Sequence, residues 1–169
     1  PISATASSMH STRLATASHQ ASRWAPRSGA SSACDWLTRA SQCFRTLQGL
    51  AIWQTHGEWI SAQKPTFAPD IHARFQWCAT LTDADQVAAE AERKRLRADI
   101  ESWFTDVDLI LLPTTPGAAP LLGAEAHWME TYRSQLMGLT APAGLAGLPQ
   151  IHLPVLTEAG APCGISLLG

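Results

Sequence analysis

The chain has 169 residues, enough for one domain whose core removes roughly two thirds of the unfolded surface from water. Its hydrophobic content of 46% is typical of a globular protein, and a formal net charge of -2 gives no reason to expect nucleic acid or a membrane as partner. The four cysteines form no CxxC pair and stand at no zinc-finger spacing to a histidine. We therefore predict reduced thiols, no disulfide framework and no metal site.

Residues 1–42 differ in composition from the rest of the chain. They are rich in Ser, Ala, Thr and Arg, contain Asp35 as the one acidic residue, and show no helical or strand periodicity. The sequence predicts a disordered or non-native segment. An organellar transit peptide would have a similar amino-acid composition, and so would GC-rich DNA translated in a shifted reading frame. The adjacent Ser31 and Ser32 stand near the end of this segment, shortly after Gly29.

Three helices are predicted after this boundary. Apolar spacing indicates a helix over Phe44–Ile60, "KPTFAP" is a proline loop, and Asp70 opens a second, short helix. In the third, Thr82 and Asp85 form a capping box. We expect its core face to carry the apolar residues at helical spacing, which are Val87, Ala91, Leu96, Ile100, Trp103 and Phe104. The arginines and the lysine between residues 93 and 97 are expected on its solvated face.

The stretch "LILLPTTPGAAPLLG", Leu109 to Gly123, combines a strand with a rigid loop. The apolar run is typical of a strand buried on both faces in a largely parallel sheet covered by helices. Ligands of open α/β sheets bind beyond the carboxyl ends of the strands, so Thr114, Thr115 and Gly117 are candidate site residues by position. The alternative is a turn in which the hydroxyls only cap the strand locally.

Residues 134–157 carry no formally charged side chain if histidine is neutral. Their prolines and glycines would interrupt a membrane span, so we predict a core helix followed by a buried strand and no membrane segment. "QIHLPVL" and "CGISLLG" are predicted as two strands joined by a hairpin through "TEAGAP". The pattern favours His152 as a strand residue whose side chain is hydrogen-bonded within the fold. A role as a metal ligand or a general base is less favoured.

The ordered segments "FRTLQGLAIWQTHGEWI", "LILLPTTPGAAP", "GLAGLPQIHLPVL" and "GAPCGISLLG" resemble the carboxy-terminal part of the amidase signature family. The resemblance covers about residues 44–169. It implies an α/β fold, part of an α/β/α sandwich around a mixed sheet, in residues 43–169. It also implies hydrolysis of a small-molecule carboxamide by a serine, a second serine in a cis peptide and a lysine, with no cofactor.

No residues match that catalytic set. Ser31 and Ser32 follow a glycine but lack the following glycines of the family's Gly-Ser-Ser-Gly loop and stand too close to "FRTLQG" for the family's order. The two lysines, Lys64 and Lys94, are expected to be solvated. We expect a cytoplasmic amidase fragment without catalytic residues of its own. Thr114, Thr115, Gly117, Leu136 and Leu139 would form the acyl side of the substrate pocket. A catalytically inactive interaction module and a truncated product without independent function are the alternatives. The sequence does not indicate an oligomeric state.

Overall fold

A computed structural model describes residues 14–16 and 33–169. It combines helices with a small sheet, consistent with the α/β class that the sequence predicts. In chain order the helices and strands are β1 (Leu14–Thr16), α1 (Ala33–Gln63), α2 (Pro69–Ala79), α3 (Asp83–Trp103), β2 (Leu109–Pro113), α4 (Ala126–Ala146), β3 (Gln150–Leu156) and β4 (Pro162–Leu168).

The first helix is longer than predicted and begins within the segment that the sequence assigns to residues 1–42. It starts at Ala33, and Trp36 and Ala40 lie in the core with 1% and 0% of their surface exposed. The prediction of disorder is therefore wrong for residues 33–42, because local composition hides contacts that Trp36 makes with distant residues. Its ring lies 4.9 Å from that of Trp103, between ring centroids. Ser31 and Ser32 lie outside the described residues.

The capping box of α3 is confirmed. The Asp85 amide donates to the Thr82 hydroxyl over 3.3 Å, and the Thr82 amide donates to the Asp85 carboxylate over 2.8 Å. Hydrogen bonds from Thr82 hold the pKa of the Asp85 carboxyl below its ordinary value. These bonds satisfy amides that the first turn of a helix leaves without partners.

The predicted core face of α3 is confirmed over its carboxy-terminal half, where Trp103 is also buried and Phe104 packs against the core, but differs over its amino-terminal half. Leu96 and Ile100 are buried, whereas Val87 is 71% exposed and Ala89 takes the inward position in its turn. Arg93 is half-buried rather than solvated, and its Nε donates to the Leu145 carbonyl oxygen of α4 over 3.1 Å. The charged run therefore supplies one contact between helices as well as a solvated surface.

The four strands form a mixed sheet in the order β1, β2, β4, β3. β2 is parallel to β1 but antiparallel to β4, and β4 is antiparallel to β3, so the expectation of a largely parallel sheet is wrong for these strands. The hairpin between β3 and β4 is confirmed, with Gly160 at φ 77° in its turn.

The helices cover one face of this sheet. Ile110 and Leu112 of β2 and Leu168 of β4 point into the same core as residues of α1, α3 and α4. Alternate side chains of a strand point to opposite faces, so Leu109 and Leu111 point away from this core and remain half-buried. The prediction that β2 is buried on both faces is therefore wrong for the described residues.

Over β2, β3 and β4 the other face of the sheet is apolar and has no buried side chain among the described residues. We call it the open sheet face; it consists of Leu109, Leu111, Pro113, Ile151, Leu153, Val155, Cys163, Ile165 and Leu167. Ile151 and Leu153 expose 61% and 40% of their surface. The predicted buried strand "QIHLPVL" is therefore wrong: β3 lies at the edge of the sheet, where its apolar side chains find no cover among the described residues.

Helix α4 passes through Pro142 and ends at Ala146. The capping residue after it, Gly147, has φ 74° in the left-handed region that glycine adopts easily. Within residues 33–169, no helix is both long enough and apolar enough for a membrane crossing. A Cβ at Gly138 would lie 2.6 Å from the Leu37 carbonyl oxygen of α1. Gly138 therefore marks the close approach of the two helices.

We predict that Gly138→Ala destabilises the chain by about 1 to 2 kcal/mol, because the cost of overpacking exceeds the gain of about 1 kcal/mol in helix propensity. The new methyl group meets backbone, which cannot move aside as a side chain can. Urea unfolding followed by circular dichroism measures the change. Gly117→Ala is the matched control, since a Cβ there has no atom within 4 Å. Equal stability of the two variants would contradict the close approach.

Candidate functional site

Thr114 follows β2 directly and joins all three strands of the antiparallel part of the sheet. Its amide donates to the Gly164 carbonyl over 2.9 Å. Its hydroxyl lies 2.6 Å from the hydroxyl of Ser166 and 2.9 Å from Nδ1 of His152. We call Thr114, His152 and Ser166 the hydroxyl cluster. The cluster runs from Ser166, which is fully buried, to His152, which is exposed.

The imidazole of His152 lies directly over Gly164 of the neighbouring strand. A Cβ built at Gly164 would overlap Cε1 of the ring. Glycine at this position thus leaves the space that lets the ring reach Thr114. His152 is a hydrogen-bonded strand residue, as predicted, but its partner lies across the sheet and was not foreseen.

Thr115 and Gly117 lie in the turn after β2. The Thr115 hydroxyl donates to the Gly117 carbonyl over 2.8 Å, so it closes the turn locally. The next residue, Ala118, accepts a hydrogen bond of 3.3 Å from the Tyr132 hydroxyl of α4. The Tyr132 bond attaches the loop to α4. The Thr115 bond agrees with the alternative in which the hydroxyls after β2 only cap the turn locally.

Leu136 and Leu139 point to different parts of the molecule. Leu139 is buried, with 9% of its surface exposed. Leu136 instead borders a groove of about 420 Å³ between α1, α2 and α4, which we call the three-helix groove. The structure therefore brings Thr115 and Gly117 together in one turn but does not place the two leucines on one surface.

The three-helix groove is a candidate site that the sequence did not reveal. Its lining comes from three helices: Phe44, Arg45, Gln48, Gly49, Ile52, Arg74, Trp77, Cys78, Glu130, Arg133, Ser134, Leu136, Met137 and Thr140. The residues are separated by up to 96 positions, so no local motif links them. Their helical spacing only shows that each belongs to one side of its own helix.

The buried thiol of Cys43 faces a second cavity, of about 360 Å³, between α1 and α3. Burial, helped by the nearby Glu92 carboxylate, raises the pKa of the Cys43 thiol to about 11. Its Sγ donates to the Ala89 carbonyl over 3.4 Å. A thiol held protonated in this way is a packing group and not a nucleophile.

We predict that Gly164→Ala destabilises the chain by about 1 kcal/mol when His152 is present, because the ring must turn away and lose its bond to Thr114. In a His152→Ala background the same change is expected to be neutral or stabilising, since alanine suits a strand better than glycine. A double-mutant cycle from urea unfolding measures the coupling. Additive effects would show that the ring does not depend on the space above Gly164.

Comparison with known proteins bears on the fold and the family. The family model "Amidase" matches residues 13–169. Amidase 1 of Oryza sativa subsp. japonica is 28% identical over 133 residues, which are 78% of this chain and 31% of that protein. Amidase 1 of Arabidopsis thaliana is 28% identical over 132 residues, again 78% of this chain and 31% of that protein. The chain thus spans less than a third of the length of these relatives.

Solved structures agree with the observed arrangement of helices and strands. An amidase crystal structure superposes with a TM-score of 0.67 at 27% identity, over 77% of this chain and 31% of that one. The allophanate hydrolase of Kluyveromyces lactis shares the fold, with a TM-score of 0.64 at 20% identity over 79% of this chain and 22% of that one. Together with the family model, which matches nearly the whole sequence, these likenesses show that the chain belongs to the amidase family.

Proposed function

We propose that this chain is the carboxy-terminal part of an amidase that hydrolyses a carboxamide to a carboxylate and an amine or ammonia. In this proposal the chain supplies part of the fold and one wall of the substrate pocket. The serine and lysine residues that break the amide bond come from polypeptide outside this chain.

The open sheet face is the observation that carries this proposal. A sheet in an α/β protein is covered by helices on both faces, and exposed apolar patches of this kind mark a surface that another element covers. Helices of this chain cover the face with Ile110 and Leu112. In an α/β/α sandwich, a second layer of helices would cover the open sheet face. The remaining two thirds of an amidase is long enough to provide that layer.

The described residues support a binding role rather than a bond-making one. A serine acts as nucleophile only beside a base that accepts its proton. Ser166 is buried and contacts the Thr114 hydroxyl, while Lys64 and Lys94 are exposed and bond to no described serine. Ser166 therefore has a hydroxyl rather than a base as its direct partner. The Thr114 hydroxyl does lie 2.9 Å from Nδ1 of His152, and in this proposal that contact holds the loop in place for binding. The Cys43 thiol is held protonated.

The pocket wall that we propose is the loop after β2 with the helix behind it. Thr114 is held by the hydroxyl cluster, and Thr115 is held by Gly117. Pro113 and Pro116 restrict the backbone between them, so these hydroxyls lose little entropy when a ligand binds. Leu136 would extend this wall, and the buried Leu139 would support it from the core side.

The experiment that tests this function uses the isolated chain. We expect no ammonia release from simple carboxamides, because pocket walls without a nucleophile retain little of the rate enhancement. We also expect the open sheet face to bind the dye ANS, and Ile151→Lys to reduce that fluorescence. Val87→Lys is the matched control, because Val87 is an exposed apolar residue of α3 outside the open sheet face.

Two results would contradict the proposal. Saturable ammonia release by the purified chain, above that of a mock preparation, would show that it contains its own catalytic residues. Equal loss of dye fluorescence in Ile151→Lys and Val87→Lys would show that the open sheet face is not a special apolar surface.

A second prediction concerns Thr115 in the native-length amidase. We expect Thr115→Val to change the preference between two acyl groups by about 1 to 3 kcal/mol in kcat/KM, as an altered pocket contact does. Its effect on stability should be smaller than that of Leu112→Ala, which removes a 3% exposed core side chain and should cost about 2 to 5 kcal/mol. Unchanged kcat/KM for every substrate would assign Thr115 to the turn alone.

A further inference from the structure

The three-helix groove carries an excess of positive charge. Its lining contains the guanidinium groups of Arg45, Arg74 and Arg133 and a single carboxylate, that of Glu130. Arg45 lies 3.6 Å from this carboxylate. Arg74 and Arg133 make no ion pair with any residue in 33–169. Two guanidinium groups at the groove are therefore available to an anion from solution.

The floor of the groove is apolar and held in place. The Trp77 ring lies under the Arg45 guanidinium, with 4.6 Å between the guanidinium carbon and the ring centroid. The ring also packs against α1 at Gly49, where a Cβ would come within 2.7 Å of the ring. Glycine inside a helix costs about 1 kcal/mol relative to alanine, so this close packing is maintained against helix propensity. Phe44, Ile52 and Met137 extend the apolar surface.

We propose that the three-helix groove binds a small organic carboxylate with an aromatic or branched aliphatic body. The planar guanidinium groups of Arg74 and Arg133 match the two oxygens of a carboxylate. The apolar body would lie on Trp77 and Met137. A volume of about 420 Å³ lies in the range of small-molecule sites.

This site shares Leu136 with the proposed pocket wall in the loop after β2, but its charged and aromatic residues are not part of that wall. It is built from three helices, uses no residue of the hydroxyl cluster, and needs only binding. The inference therefore goes beyond the proposed function, and failure of one leaves the other standing.

Titration of the full chain with sodium benzoate, followed by ligand-observed NMR, tests the proposal. We expect saturable binding that weakens about tenfold in Arg133→Gln and in Arg74→Gln, as the loss of a charge-assisted bond requires. Arg97→Gln is the matched control and should bind like the parent chain, because Arg97 pairs with Glu101 on α3 and does not line the groove. Circular dichroism checks that each exposed substitution leaves the fold intact.

Benzyl alcohol and inorganic phosphate separate the two parts of the recognition. We expect both to bind at least tenfold more weakly than benzoate, because the first lacks the charge and the second lacks the apolar body. No saturable benzoate binding, or equal binding by the parent chain and both groove variants, would overturn the proposal. Equal affinity for phosphate and benzoate would also overturn it, since the apolar floor would then contribute nothing.

Discussion

Burial of alternate side chains of β2 and β4 beneath three helices is the packing on which the rest of the structure depends. Ile110, Leu112 and Leu168 contact a helical layer that includes Trp36 and Leu96. Because side chains alternate along a strand, covering one face necessarily directs the neighbouring residues to the other face. The strand residues that point to the helices and those that point away from them are both apolar. This explains why the chain has an ordinary core on one side of the sheet and the open sheet face on the other.

The same strand order places polar groups at the end of this core. Thr114 stands one residue beyond β2, whereas Ser166 of β4 and His152 of β3 pair with each other in register with Leu112, two residues earlier. Ser166 is fully buried, so its hydroxyl needs a partner, and Thr114 provides one. Gly164 leaves room for the imidazole that completes the cluster. The loop that follows is therefore attached to the sheet by side chains as well as by its backbone.

The helical layer has its own recognition chemistry, separate from the sheet. Long α1 contacts α2, α3 and α4, and the space between α1, α2 and α4 is the three-helix groove. At this groove the Trp77 ring contacts both Arg45 and Gly49 of α1. We propose that the loop after β2 contributes to an amide pocket and that the three-helix groove binds a carboxylate. The chain would then present two surfaces of different chemistry.

The sequence by itself determined the local elements and the family. The Thr82 and Asp85 cap, the strand at residues 109–113 and the hairpin turn at Gly160 depend on neighbours a few residues away, which the sequence displays directly. The family resemblance depends on the order of four segments, and it is confirmed by the match over residues 13–169.

Only the tertiary structure decided which apolar residues are covered. Val87 and Ile151 have the periodicity of core residues but are exposed, whereas Trp36 is buried although its surrounding composition suggests disorder. Periodicity states which residues share a face of one element, but burial depends on whether a distant element packs on that face. The hydroxyl cluster and the three-helix groove depend on such packing too, since their members come from separate strands and helices that meet only in the folded chain.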